Sequence, residues 1–433
     1  MAPELIGILG IVLLLVFIAM KMWIGVAMGL VGFLGLILLR GPNLALVAIA
    51  EVPFTNINQY TLTVVPMFAL MGMVIAESRM GKDLFRACNT WIGWTRGGLA
   101  YATMMASAGI GAISGSHMVS TVIMSKIALP EMKRYKYDDG FAAACVISGA
   151  PLSIILPPSL PLIVYGIVTE QPIGHLFMAG IVPGILFFFA LNVVIYFVMR
   201  RNPELGPPGE KTTTKEKLKA TVHVIPIVIL FVVVFGGIYS GIFTTTESGA
   251  IGAAGALIIS ICYKTLNGKT FMAAMKETAI TLGMVFSLLL GTFIFIRFIT
   301  HSMLPFLVAN FLVGLDAPMP VMMLVLAAIY ILLAMFLPEI PLIILTVPIL
   351  FPALMAVGFD PIWYGIYMVL IMSLGSFTPP VGMLVFILSG LSGVPVPRLF
   401  RSVVPFISVD LFMIAIISIF PQIVTWLPSM MHG

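Results

Sequence analysis

The chain has 433 residues, of which 61% are hydrophobic and 9% charged, and its net charge is +5. A soluble fold carries roughly 25% charged residues and needs far more polar surface to cover its core. The positive charge gathers at the edges of apolar runs, which excludes nucleic acid as the expected partner and points to a lipid bilayer.

Apolar runs of about 20 residues follow one another, the length that spans ~30 Å of hydrocarbon. Backbone amides in that medium need internal partners, and the dyad alternation of a membrane β-barrel is absent. The expected fold class is therefore all-α, a polytopic membrane protein. Residues 4–20 and 22–39 read as two helices around Lys21, the first a retained helix because no basic region precedes it. A connector at the interface follows at 43–57, then a span at 60–78 and an amphipathic basic stretch at 79–96. The run 97–130 is interrupted by Gly111-Ala-Ile-Ser-Gly-Ser116, and 138–168 by Leu156-Pro-Pro-Ser159. A long span, 175–199, closes the first half, and the charged stretch Arg200–Lys219 reads as a linker. Spans at 222–241 and 246–263, a basic connector at 264–277 and a span at 278–297 come next. An interfacial stretch at 298–316, interrupted segments at 317–352 and 359–392, and a last span at 402–425 complete the chain.

The halves match. Pro130 and Pro352, Asp138 and Asp360, the pairs Pro157-Pro158 and Pro379-Pro380, and Pro183 and Pro405 all share an offset of 222 residues. One register held over that many positions argues for an internal repeat. Placing the linker in the cytoplasm, with 97–130 and 317–352 as re-entrant hairpins, puts 20 of the 22 lysines and arginines there, Arg79 among them; Arg40 and Arg297 fall elsewhere. Basic Lys126–Lys136 then corresponds to charge-free Pro348–Gly358, so the repeat is inverted, as in secondary transporters.

A double proline cannot donate backbone hydrogen bonds and must open the helix around it. Freed carbonyls beside hydroxyl oxygens suit a hard cation such as sodium. Leu156-Pro-Pro-Ser159, flanked by Ser153, and Ser376-Phe-Thr-Pro-Pro380, flanked by Gly375 and followed by Gly382, are the expected linings of two ion sites. Ser114-Gly-Ser116 reads as the turn of a hairpin entering from the cytoplasm, with Phe336-Leu-Pro-Glu339 as its counterpart. Glu339 would then be an intramembrane carboxylate, a functional candidate by default, the alternatives being a structural pairing or a place near the periplasmic surface. His117, beside the hairpin tip, reads as packing, a substrate contact or a pH sensor, and Glu247 as a helix-start cap behind Thr244. Arg297 reads as a snorkelling residue near a span end. Cys88, Cys145 and Cys262 show neither pair nor metal spacing. No Gly-rich phosphate loop or His-Glu-x-x-His is present, which argues against ATP coupling and metalloprotease chemistry. An intramembrane enzyme and a channel stay open as rival classes, as does a symporter that needs no binding protein.

At these motifs the chain resembles the large membrane (M) subunit of tripartite ATP-independent periplasmic (TRAP) transporters. The resemblance rests on Gly111-Ala-Ile-Ser-Gly-Ser116, Ala128-Leu-Pro-Glu-Met132, Leu156-Pro-Pro-Ser159 with Tyr165-Gly166, Tyr239-Ser-Gly-Ile-Phe-Thr244 with Glu247, and Thr378-Pro-Pro-Val-Gly382. It implies a transporter, not an enzyme: an elevator-type sodium symporter with two hairpins and two unwound helices, in the bacterial inner membrane. It implies three partners: a small membrane (Q) subunit, expected as a separate chain, a periplasmic substrate-binding protein, and a small organic anion such as a carboxylate or sulfonate. Sodium (Na+), a coupling ion, is then expected at Ser114, Gly115 and Ser116 with Ser153–Pro158, and at Gly375–Val381 with Pro338 of the second hairpin. Ser116, His117, Ser159, Glu339 and Gly382 are the expected substrate contacts, His117 departing from the small hydroxyl residue more usual there. The implied units are scaffold helices and an arm over 1–58, a transport repeat over 59–200, a linker over 201–221, scaffold helices and an arm over 222–277, and a second transport repeat over 278–433.

Overall fold

The computed structural model describes residues 2–78, 80–314 and 318–431. Arg79, placed above at the cytoplasmic edge, and residues 315–317, at the entry to the second hairpin, lie outside them. The described residues form helices joined by short turns. Helices α1 (Pro3–Ala19) and α2 (Ile24–Arg40) part at Lys21, whose φ of 64° ends the first. The connector after them is itself a helix, α3 (Pro42–Ile57), followed by α4 (Val64–Glu77) and the amphipathic α5 (Met80–Ile92).

The first hairpin is α6 (Gly98–Ser114) and α7 (His117–Arg134). The run after it is broken into α8 (Asp139–Gly149), one turn α9 (Leu152–Ile155) and α10 (Leu160–Thr169), and α11 (Ile173–Arg201) closes the half. Helices α12 (Thr214–Tyr239) and α13 (Thr245–Cys262) lead to α14 (Gly268–His301) and α15 (Leu304–Gly314). The second hairpin is α16 (Met319–Ala334) and α17 (Glu339–Ala356), and its broken partner is α18 (Pro361–Phe377) and α19 (Met383–Ser392). Helices α20 (Val396–Ile419) and α21 (Gln422–Ser429) end the chain. Among the described residues, eight helical segments are long and apolar enough to cross a membrane.

Two boundaries differ from the expectation. The linker is shorter than Arg200–Lys219, because α11 runs through Arg201 and a capping box of Thr213 and Glu216 starts α12 at Thr214. What remains is pinned to the first repeat: Gly97 donates to the Gly206 carbonyl, Asp138 to Leu205, and Gly209 to Gly93. The basic connector and the span expected at 278–297 are one helix, α14, started by an Asn267–Thr270 capping box. At 34 residues it is about 51 Å long, well over the hydrocarbon thickness, so Lys269 and Lys276 ride on a helical overhang. The division expected at residue 277 falls inside that helix.

Helix α14 packs along α2 and against α4, and α4 also packs on α13. The α2–α14 seam depends on glycine: a Cβ on Gly291 would lie 1.9 Å from the Gly25 carbonyl oxygen. The repeat register governs packing elsewhere. Helix α7 packs on α19 and α17 on α10, the two contacts exchanging under the repeat; α8 on α20 and α18 on α11 form a second such exchange. Asp138 and Asp360 do the same job in each half, capping α8 and α18 through the Phe141 and Trp363 amides at 2.9 and 2.7 Å.

Candidate functional site

Both broken helices open where proline removes the donor. In a continuous helix the amide at 157 would bond the Ser153 carbonyl and that at 158 the Ile154 carbonyl; prolines offer neither. The same argument frees the carbonyls of Gly375 and Ser376 ahead of Pro379 and Pro380. Both Pro-Pro bonds are cis. The first pair is buried and the second exposed.

The first hairpin tip docks on the first opening. Gly115 turns the chain with φ +59°, and a Cβ there would lie 2.6 Å from the Pro158 carbonyl oxygen. Its own carbonyl accepts from the Leu160 amide at 3.1 Å. A Cβ on Gly111 would lie 2.8 Å from the Ser153 backbone, so the α6 end sits directly on the α9 turn. Ser114, Gly115, Ser116, Ser153, Leu156, Pro157 and Ser159 are thus gathered in one place. The Ser153 hydroxyl donates to the Ala150 carbonyl at 2.6 Å, and Ser159 caps α10 through the Leu162 amide.

The second opening is assembled differently. Gly375 faces α16, where a Cβ would meet the Ile331 carbonyl oxygen at 2.8 Å. The Thr378 hydroxyl donates to the Leu374 carbonyl at 2.5 Å, and Gly382 turns the chain at φ +54° into α19. A small cleft joins Pro338 and Glu339 of the second hairpin tip to Ser376, Met383 and Leu384. Pro379 and Val381 lie beyond it, in the exposed turn between α18 and α19.

His117 and Glu339 meet. His117 is the first residue of α7 and Glu339 the first of α17, and Nδ1 lies 2.7 Å from Oε1. The contact is one of distance without hydrogen-bond alignment, and the imidazole is fully buried. The remaining candidates stand away from this place. Arg297 lies 3.9 Å from Glu51 of α3, and Glu247 forms a capping box with Thr244.

One buried carboxylate escaped the sequence reading. Asp410 of α20 is 1% exposed and accepts from the Ser373 hydroxyl at 3.3 Å; the Ser376 hydroxyl in turn donates to the Ser373 carbonyl. A lone acid inside the apolar run 402–425 was the available signal. A second network, Thr346–Tyr330–Tyr364, links α17, α16 and α18 through hydroxyls at 3.0 and 2.6 Å. Among the described residues no group of three or more His, Cys, Asp or Glu converges; the oxygens that the prolines free are carbonyls, with the hydroxyls of Ser153 and Thr378 beside them and Glu339 the nearby carboxylate at the second opening. Such a donor set fits a hard, weakly held cation better than a transition metal.

The likeness to known proteins covers nearly the whole chain. Residues 11–423 match the family model described as the tripartite ATP-independent periplasmic transporter, DctM component. The chain is 30% identical over 420 residues to the sialic acid TRAP transporter large permease protein SiaM of Vibrio cholerae, covering 93% of this chain and 98% of that one. It is 31% identical over 404 residues to the C4-dicarboxylate TRAP transporter large permease protein DctM of Pseudomonas aeruginosa, covering 93% and 94%. It is also 30% identical over 380 residues to the isethionate TRAP transporter permease protein DctMQ of Oleidesulfovibrio alaskensis, covering 87% of this chain and 59% of that one. In fold it is similar to the crystal structure of the Alcanivorax borkumensis YdaH transporter, at a TM-score of 0.66, 14% identity and 98% coverage of both chains. The chain is a multi-pass protein of the bacterial inner membrane, and it belongs to the family of large membrane components of tripartite ATP-independent periplasmic transporters.

Proposed function

We propose that the protein imports a small organic anion, a carboxylate or sulfonate, by coupling its movement to sodium through an elevator mechanism. The observation that carries this reading is the repeat-related pair of openings. Each withholds helical donors from carbonyls beside hydroxyls, Ser153 with Ser114 and Ser116 in one half, Gly375 with Ser376 and Thr378 in the other. Sodium drawn to those oxygens would tighten each hairpin tip against its broken helix and complete the substrate seat between the tips. Ser116, whose hydroxyl leaves the α7 start uncapped, offers that helix's free amides to the anion. Relatives named for sialic acid, C4-dicarboxylate and isethionate support the organic-acid class.

The cargo reaches the permease from a periplasmic binding protein, and the small membrane subunit is a separate chain in this reading. The moving body holds both hairpins and both broken helices. Helices α4 and α14, assigned by the sequence reading to the transport repeats 59–200 and 278–433, pack on α13 and α2 and in this reading stay with the static scaffold. The test is uptake by proteoliposomes containing the permease, its small subunit and the binding protein. Uptake should require an inward sodium gradient, and equal uptake with potassium in its place would end the coupling claim. Uptake without the binding protein would favour a simple symporter.

A further inference from the structure

Helices α11 and α20 pack on each other, and a cavity of about 570 Å³ opens between them, walled also by the start of α8 and by the linker. Small-molecule sites occupy roughly 300–1,000 Å³, so the space is large enough for a ligand. It lies where α11 ends and α20 begins, the side that the lysine and arginine distribution places in the cytoplasm. Two arginines line it, Arg201 at the end of α11 and Arg401 in the second turn of α20. Both are exposed, and among the described residues neither has an ion-pair partner. The carboxylate that shares the cavity, Asp138, is already committed: Oδ1 caps α8 and Oδ2 is paired with Arg398.

Deeper than the arginines the walls turn apolar. Val198, Phe197 and Val194 stand three, four and seven residues before Arg201, and Pro405 and Ser408 stand four and seven after Arg401. That spacing keeps each set on one helix face. At 1.5 Å per residue the wall runs about 10 Å into the spanning part of both helices. The Ser408 hydroxyl is turned to the Pro405 carbonyl at 2.6 Å, which leaves the wall without a free donor. Tyr196, Phe197 and Val404 are exposed, so the groove opens onto an apolar, lipid-facing surface. Arginines at a helix end also fix topology, but that role asks only for charge. Arg200 meets it as well as Arg201 does, yet only Arg201 lines the cavity. The repeat does not require these charges either: at the 222-residue offset the counterparts of Arg401 and Arg201 are Ala179 and Ile423.

We propose that this cavity binds an anionic glycerophospholipid of the cytoplasmic leaflet, its phosphate held between Arg201 and Arg401 and an acyl chain lying along Phe197, Val194 and Pro405. Arginine suits the first half of the ligand, since its guanidinium can give two parallel hydrogen bonds to a phosphate. The apolar wall suits the second, and a free phosphate would gain nothing from it. Basic pockets between spanning helices on the cytoplasmic side are where anionic headgroups bind. The site stands apart from both openings and holds whatever ion or cargo they take.

The purified membrane complex, stripped of lipid in detergent, is titrated with phosphatidylglycerol while its melting temperature is followed. Phosphatidylglycerol should stabilise it, whereas phosphatidylcholine, inorganic phosphate and glycerol 3-phosphate should not. An arginine beside an anionic headgroup is worth about fivefold in affinity. Arg201→Gln and Arg401→Gln should therefore each raise the half-maximal lipid concentration about fivefold, and the double substitution roughly thirtyfold. Arg200→Gln, which removes the same charge one residue away, should leave it unchanged. An unmoved midpoint in the double variant overturns the site, and an equal shift in Arg200→Gln overturns it in favour of general surface charge. Stabilisation by inorganic phosphate equal to that by the lipid overturns the lipid as occupant. A second measurement needs no substitution: phosphatidylglycerol carrying a photoreactive diazirine in one acyl chain is crosslinked to the unaltered complex and the labelled peptides are mapped. Labelling of α11 and α20 near Phe197 and Pro405 is expected, and labelling confined to other helices or to the small subunit overturns the proposal.

Discussion

His117 and Glu339 occupy the same position in the two repeats, each the first residue of the inner helix of its hairpin, and their side chains touch at 2.7 Å. A two-fold arrangement brings equivalent positions together only near its axis, so this contact marks where the two hairpin tips converge. The pair should behave as a coupled unit. His117→Ala and Glu339→Gln should each lower the melting temperature of the purified membrane complex, and the double substitution should lose less than the two losses added. The coupling expected for a polar pair inside a membrane protein is about 1 kcal/mol. Strict additivity in a double-mutant cycle would show that the contact contributes nothing.

The break points were legible because proline and glycine act on the backbone locally. Pro157-Pro158, Pro379-Pro380, Gly115 and Gly382 each interrupt a helix where their chemistry requires it. The repeat register was legible too, since Asp138 and Asp360 cap equivalent helices. The contact of His117 with Glu339 was not, although both residues had been singled out. It depends on how two hairpins approach in space, and no local pattern encodes that. Asp410 was missed because a single acid in an apolar run has the same sequence signature whether it faces Ser373 or a lipid headgroup. The continuity of α14 was hidden by its charges: Lys269 and Lys276 look like a connector, yet both residues favour helix once Asn267 has started one.

Gly115 should tolerate no side chain. Its φ of +59° is unfavourable for any other residue by roughly 1–2 kcal/mol, and the added Cβ would press on the Pro158 carbonyl oxygen from 2.6 Å. Gly115→Ala should therefore lower the melting temperature by several degrees and weaken the stabilisation given by sodium. Gly268→Ala, where a Cβ meets nothing within 4 Å, is the matched control and should leave both unchanged.

The paired caps give a test of the repeat that is independent of transport. Asp138→Ala and Asp360→Ala each remove the acceptor for an amide in the first turn of a helix, at a cost of about 1 kcal/mol. Asp138 also pairs with Arg398 at the start of α20. Arg398 is exposed and Asp138 half-buried, and pairs open to solvent contribute about 0–1 kcal/mol, so Asp138→Asn, which keeps a capping oxygen, should lie close to the unaltered protein. Thermal unfolding of the three variants in one detergent decides it. If Asp138→Asn falls as far as Asp138→Ala, the ion pair and not the cap holds α8.

Ser116 and Thr378 separate the two openings. Ser116 starts α7 with a hydroxyl that caps nothing, whereas the Thr378 hydroxyl donates to the Leu374 carbonyl and retains its capacity to accept. If both serve sodium, Ser116→Ala and Thr378→Val should each raise the sodium concentration for half-maximal uptake severalfold, and Thr378→Ser should restore it. The binding protein's affinity for its ligand stays untouched, since neither residue belongs to that protein. Reduced uptake whose residual activity keeps an unaltered sodium dependence would mean that the hydroxyl at that position serves the substrate and not the ion. Because the two openings lie in different repeats, the substitutions should also differ in what remains: each leaves one intact set of carbonyls and hydroxyls. The steepness of the sodium dependence should then fall in both variants, and neither should abolish the sodium response outright.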